Sequence, residues 1–216
     1  MNVFDLIGPV MVGPSSSHTA GAVRIGLVSR KLLGGQPDEA ELLLHGSFAA
    51  TGRGHGTDRA LVAGLLGMEP DDERIPDSFL WAEKAGLRFH FGVISMPDAH
   101  PNSVLLRLHR GGKELRVVAA SVGGGRIEVR RLNDMPLRFT AEQPTLIVSN
   151  RDHPGSVADV SRVLAEAGVN IGTFQVNRDE RGGVAVMVIE TDSPLPDELV
   201  ARMRTLPDIL SAVCIN

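Results

Sequence analysis

The sequence predicts an α+β protein of two domains, and three observations carry that prediction. The first half mixes helix-like and strand-like segments without a repeat. The second half reads β-α-β-β-α-β. Between them, the stretch from Asn133 to Pro144 holds Asn133-Asp134, Pro136 and Pro144, the punctuation of a domain boundary. The expected domains are residues 1–143, of mixed sheet and helix, and residues 144–216.

In the first half, a helix is expected from Thr19 or Ala20 to Leu33, stopped by Gly34-Gly35. Glu39 to His45 reads as a strand. The glycine-rich Gly52-Arg53-Gly54-His55-Gly56 leads to Thr57, expected to cap a helix running through Leu66. Ser78 to Ala85 is a further helix. Leu87 to Ser95, Ser103 to Arg110 and Lys113 to Ala120 read as strands, the last two joined by Gly111-Gly112. Two-residue hairpin turns need positive φ, which glycine supplies. Gly123-Gly124-Gly125 then admits a strand from Arg126 to Leu132.

In the second half, Thr145 to Val148 is a short β-rich run, followed by a turn at Asn150 to Gly155. Ser156 is expected to cap a helix through Ala167, with Val157, Val160, Val163 and Leu164 at helical spacing and Gly168 as its stop. Ile171 to Asn177 and Val184 to Glu190 are strands around the loop Arg178 to Gly183. Asp197 to about Thr205 is a helix, and Leu210 to Ile215 a last strand. This order is the ferredoxin-like pattern.

Composition narrows the function. The 216 residues carry 22 basic and 26 acidic side chains, a formal net charge of −4, which argues against a nucleic-acid platform. Apolar residues make up 43% of the chain, enough for a buried core. No apolar run approaches the roughly 20 residues of a membrane-spanning helix. The N-terminus shows no basic region ahead of an apolar stretch, so a cytoplasmic protein is expected. The single cysteine, Cys214, excludes an internal disulfide and a cysteine-ligated iron–sulfur cluster held by this chain alone. It falls in the last strand and is expected to be a core residue.

Four segments could carry chemistry. Ser15-Ser16-Ser17-His18-Thr19 puts four hydroxyls and an imidazole immediately before a helix. Hydroxyls and free amides at a helix start can hold a carboxylate, and a histidine can move a proton near neutral pH. The alternative is a polar loop that merely caps the helix. Gly54-His55-Gly56-Thr57-Asp58 offers close backbone approach and helix-start donors, or simply a tight turn. It matches neither the P-loop nor the dinucleotide fingerprint. Asn102, in His100-Pro101-Asn102-Ser103, either bonds a ligand or turns the chain. Asp152-His153-Pro154-Gly155 either grips a small ligand or shapes its turn. His45, His90 and His109 sit in strands and read as structural. No residue spacing suggests a metal site, a G-x-S-x-G elbow, or a pyridoxal lysine among Lys31, Lys84 and Lys113.

Taken together these segments resemble one family, the β chain of iron–sulfur-dependent L-serine dehydratase (L-serine ammonia-lyase). The resemblance rests on Val3-Phe4-Asp5 with Gly8-Pro9, on Gly13-Pro14-Ser15-Ser16-Ser17-His18-Thr19-Ala20-Gly21, and on Gly46-Ser47-Phe48. Gly54-His55-Gly56-Thr57-Asp58-Arg59-Ala60 and His100-Pro101-Asn102 complete it, with Ser103 where the family has threonine. Residues from about 145 resemble an ACT domain, a small-ligand regulatory module. The resemblance implies a split enzyme that deaminates L-serine to pyruvate and ammonia. A cysteine-rich α subunit would carry the [4Fe–4S] cluster. It implies His18 as the proton-handling group, with Ser15, Ser16, Ser17 and Thr19 lining the substrate pocket. His55, Thr57, Asp58 and Asn102 would line the pocket or the interface. It implies Asp152, Pro154, Gly155 and Asn170 as contacts for an amino-acid or cation effector, and a homodimer through the ACT domains. The competing reading is a non-catalytic amino-acid sensor, since the first domain also resembles an effector-binding domain of some phosphoglycerate dehydrogenases.

Overall fold

The computed structural model describes residues 10–52 and 54–216. The segments Val3-Phe4-Asp5 and Gly8-Pro9 lie outside the described residues. The chain forms two compact units, one reaching Asp134 and one from Met135 to Asn216.

In the first unit a π-helical turn, Ser16–Ala20, opens directly into helix α1 (Gly21–Leu33). Strand β1 (Glu39–Leu44) leads to a short helix α2 (Gly46–Thr51), then α3 (Thr57–Leu66) and α4 (Ser78–Lys84). Strands β2 (Arg88–Val93), β3 (Ser103–Arg110), β4 (Lys113–Gly123) and β5 (Arg126–Leu132) follow. They lie in the order β2-β1-β3-β4-β5, with β1 and β2 parallel and the other pairs antiparallel. Gly111 and Gly112 have φ of 52° and 80°, the two positive values a tight hairpin requires.

Alternation along the strands decides which face is covered. Ala40, Leu42, Leu44, Val104, Leu106, Leu108, Val117 and Val129 are buried, and α1 packs on β3, β4 and β5. On the opposite face Glu41 accepts from Arg107 at 2.7 Å and meets His90 Nε2 at 3.2 Å. Helices α1 and α3 meet through glycines. A Cβ on Gly64 would lie 2.1 Å from the Val23 carbonyl, and one on Gly26 would lie 2.5 Å from the Leu61 carbonyl. With no side chain at either place the two backbones approach closely, and the turn before α1 is tied to the loop before α3 by Thr19 Oγ1 donating to the His55 carbonyl.

The second unit contains β6 (Met135–Phe139), β7 (Thr145–Arg151), α5 (Ser156–Glu166), β8 (Ile171–Arg178), β9 (Val184–Thr191), α6 (Asp197–Met203) and β10 (Ile209–Ile215). The antiparallel sheet runs β10-β7-β9-β8, which is the expected ferredoxin-like arrangement. Leu146, Val148, Met187 and Ile189 on the sheet bury against Val160 and Leu164 of α5 and Leu199 and Met203 of α6. Cys214 is partly buried on β10 and packs against this core.

Several details depart from expectation, among them the ends of β4 and β7, which each run three residues beyond the expected strand. Helix α2 occupies a stretch to which no element was assigned. Strand β6 lies inside the stretch read as a boundary, where Pro136 argues against a strand. Thr57 and Ser156 are not caps: Gly56 (φ 70°) and Gly155 (φ 101°) hold the cap positions, and each hydroxyl residue is the first helical one. The left-handed glycine turns the chain into the helix, so the hydroxyl arrives one position too late to reach back.

Candidate functional site

The site grows from the start of α1. Ser15 caps the π turn that leads into it, in extended backbone, and its Oγ accepts the His18 backbone N–H at 3.2 Å. The following π turn packs five residues into a wide coil and leaves His18 partly buried. Its ring is held at both edges. Nδ1 lies 3.4 Å from Ser15 Oγ, and Nε2 lies 3.1 Å from Ser47 Oγ. Phe48 meets the ring edge-on at 5.4 Å between centroids, and the His55 ring tilts against it at 5.0 Å.

Those contacts come from segments far apart in sequence. Ser47 and Phe48 stand in the first turn of α2, tied to the next loop by Ser47 N–H donating to the Pro101 carbonyl at 2.8 Å. His55 is tied to the start of α1 by Thr19 Oγ1 donating to its carbonyl at 3.2 Å, and its own Nδ1 lies 3.3 Å from the Thr51 carbonyl. The Ser-Ser-Ser-His-Thr, Gly-Ser-Phe, Gly-His-Gly and His-Pro-Asn segments thus converge. Ser15, His18, Thr19 and His55 are brought together, with Ser16 and Ser17 in the same turn.

The other expected residues stand apart from the His18 ring. Thr57 is fully buried at the head of α3, and its hydroxyl has no partner among the described residues. Asp58 accepts the Arg59 N–H and lines a cavity of about 600 Å³ with Leu44, Phe48, Gly54, Phe79 and Phe91. Asn102 is held through its backbone, its N–H to His100 Nδ1 at 3.1 Å and its carbonyl to Ser121 N–H at 3.0 Å. Ser47 was no sequence candidate. Its place within the family-like Gly46-Ser47-Phe48 segment was the one sequence signal for it.

Burial holds the His18 imidazole below its ordinary pKa, and the facing His55 ring pushes the same way. A ring in that state is neutral at neutral pH, with one nitrogen donating and the other accepting.

In the second unit, Asp152, Pro154 and Gly155 stand at the turn between β7 and α5. The Gly182 N–H and the Arg178 guanidinium, each 3.0 Å from Asp152 Oδ2, hold that carboxyl below the usual range. The Asp152 N–H is spent on the Gly183 carbonyl. Asn170 donates to Asp192 at 2.6 Å, and no hydrogen bond among the described residues joins it to the turn.

The donor set does not fit a cysteine-held cluster. Cys214 packs against the core of the second unit, and among the described residues no three His, Cys, Asp or Glu side chains come together as metal ligands. No helix among the described residues is long and apolar enough to cross a membrane.

Residues 2–85 match the serine dehydratase beta chain family, and residues 144–208 match the ACT domain family. The chain is 41% identical to the "Probable L-serine dehydratase, beta chain" of Bacillus subtilis, covering 99% of this chain and 97% of that one. It is 39% identical to the "L-serine dehydratase, beta chain" of Peptoniphilus asaccharolyticus, covering 92% and 90%. It is 26% identical to a D-3-phosphoglycerate dehydrogenase of Synechocystis over 90% of this chain and 35% of that one. With near-complete coverage at about two residues in five, the chain belongs to the L-serine dehydratase beta chain family and ends in an ACT domain.

Proposed function

We propose that this chain is the β subunit of an L-serine ammonia-lyase, active only with a cysteine-rich α subunit and releasing pyruvate and ammonia from L-serine. The observation that supports it best is that Ser15, Ser47, Phe48 and His55, from three family-like segments, gather around one imidazole in a chain of this family. The hydroxyls of Ser15, Ser16, Ser17 and Thr19 would hold the substrate's carboxylate and amine, together with amides of the same turn. His18, kept neutral by its surroundings, would take the α-proton as a base and return one later. His55, Thr57, Asp58 and Asn102 would shape the pocket or the face presented to the α chain. The [4Fe–4S] cluster belongs in this reading to the α subunit, because the donors here do not suit it.

In the same reading the ACT domain binds an amino-acid or cation effector through Asp152, Pro154, Gly155 and Asn170. Because β8 lies at one edge of its sheet, a second copy would pair there and form a homodimer. Sedimentation of the full chain as a monomer at every concentration would refute the dimer.

Anaerobic co-expression with a cysteine-rich α chain, followed by pyruvate release from L-serine, tests the central proposal. Activity in the mixture and in neither chain alone is expected. A stable complex with an intact cluster spectrum and no activity would instead favour the amino-acid sensor, a reading supported by the likeness to phosphoglycerate dehydrogenase and by the ACT domain. Calorimetry of amino acids against the chain would then identify its ligand.

A further inference from the structure

We propose that Ser47 is a positioning residue that holds the Nε2 edge of the His18 ring and leaves Nδ1 as the nitrogen that takes and returns the proton; the catalytic part of this rests on the lyase reading above.

The Ser47 hydroxyl is not spent on its own helix. A serine in the first turn of a helix usually spends its hydroxyl on nearby backbone. Helix α2 has no side-chain cap bond, and Ser47 Oγ instead lies 3.1 Å from a ring nitrogen 29 positions away. Its backbone is fixed at both ends. The N–H donates to the Pro101 carbonyl at 2.8 Å, and the carbonyl accepts from Thr51 Oγ1 at 2.8 Å. Gly46 makes this closure feasible. Its φ is 56°, and a Cβ there would lie 2.6 Å from the Pro101 oxygen. The hydroxyl is therefore presented to His18 from a rigid support.

The two edges of the ring are not equivalent. Ser15 Oγ already accepts the His18 backbone N–H, and its 3.4 Å separation from Nδ1 is long for a hydrogen bond. Ser47 Oγ has no such prior claim among the described residues and stands closer. A neutral imidazole has one N–H to give. Donating it from Nε2 to Ser47 puts the lone pair on Nδ1, facing the contact that is easier to vacate. The other groups around the ring are His55 and Phe48, neither of which bonds a ring nitrogen.

Nitrogen-15 NMR of the imidazoles in the full chain reads the tautomer directly, with His18 assigned by loss of its signals in His18→Gln. Above the ring's pKa, the Nε2–H tautomer is expected to dominate in the native chain and in Ser47→Thr, and to lose its dominance in Ser47→Ala. In the assembled α/β enzyme, Ser47→Ala is expected to lower kcat by roughly 10- to 100-fold, part of the range available to acid–base catalysis. KM should stay within about threefold, with Ser47→Thr restoring kcat, because the hydroxyl orients the base rather than binding substrate. A dominant Nδ1–H tautomer in the native chain overturns the proposal and needs no variant to be seen. An unchanged tautomer or an unchanged kcat in Ser47→Ala overturns it equally. An inactive native complex would instead sink the lyase reading, while the tautomer would still decide whether Ser47 holds the ring.

Discussion

The start of α1 and the start of α5 look alike in sequence and differ in construction. Each follows a turn rich in Ser, His, Pro and Gly. At α1, residues from two remote segments, Ser47-Phe48 and His55, join Ser15 around one partly buried imidazole, and two hydroxyls face its nitrogens. At α5, the carboxylate of Asp152 bonds the Arg178–Gly183 loop across the neighbouring hairpin, and His153, Pro154 and Gly155 stay exposed. Remote convergence gives a group whose protonation is shaped by burial. Exposed pairing gives a turn whose shape is fixed but whose groups remain in water. The first is what proton transfer needs, and the second suits a loop that adapts to a small ligand.

The sharpest way to break this contrast is to spoil the helix contact beneath the first site. Gly64→Ala places a methyl against the Val23 carbonyl, where only backbone movement can relieve it. Overpacking of this kind costs about 3 kcal/mol, or about 10 °C in Tm for a chain of this size. Gly172→Ala in the second unit meets nothing closer than 3.6 Å and should change stability by no more than about 0.5 kcal/mol. Thermal unfolding of both variants checks the difference, and equal effects would contradict the packing argument.

The pH response should separate the two sites next. The His18 pKa is lower folded than unfolded. Above about 6.5 both states are neutral and nothing is lost. As pH falls below that value the unfolded chain takes the proton first, so stability declines until the folded ring titrates too. The Asp152 pKa is also lowered, but for a carboxyl that adds stability above its unfolded value, lost as pH falls through the folded one. Denaturant titrations from pH 8 to pH 3 should show His18→Gln removing part of the slope below 6.5, and Asp152→Asn changing only the acid end.

Asp152→Asn at neutral pH should have the smallest effect. The carboxylate is partly exposed and its ion pair with the exposed Arg178 is screened, so a shift in Tm of under about 2 °C is expected. A larger loss would mean that the clamp on residues 178–183 supports the unit more than its exposure implies.

Much of the framework was legible in the sequence. Strands β8, β9 and β10 and the hairpin at Gly111-Gly112 come from apolar β-rich runs and turn chemistry, which are local, whereas β7 runs on through the Asn150-Arg151 expected as turn. Helix α2 was not legible, because six residues are too few to show a helical period. Strand β6 was masked by Pro136 among boundary markers. The caps at Thr57 and Ser156 were misassigned because a hydroxyl at a helix start is equally compatible with a preceding left-handed glycine. For the candidate site, the unusual Ser-Ser-Ser-His-Thr run singled out His18, while the role of Ser47 depends on a contact 29 residues away that no local pattern encodes.

The central claim is that this chain supplies the proton-handling imidazole, and His18→Ala in the reconstituted α/β enzyme tests it most directly. With complex formation and the cluster spectrum unchanged, pyruvate release should fall by at least about 100-fold. Turnover equal to the native enzyme would contradict the account.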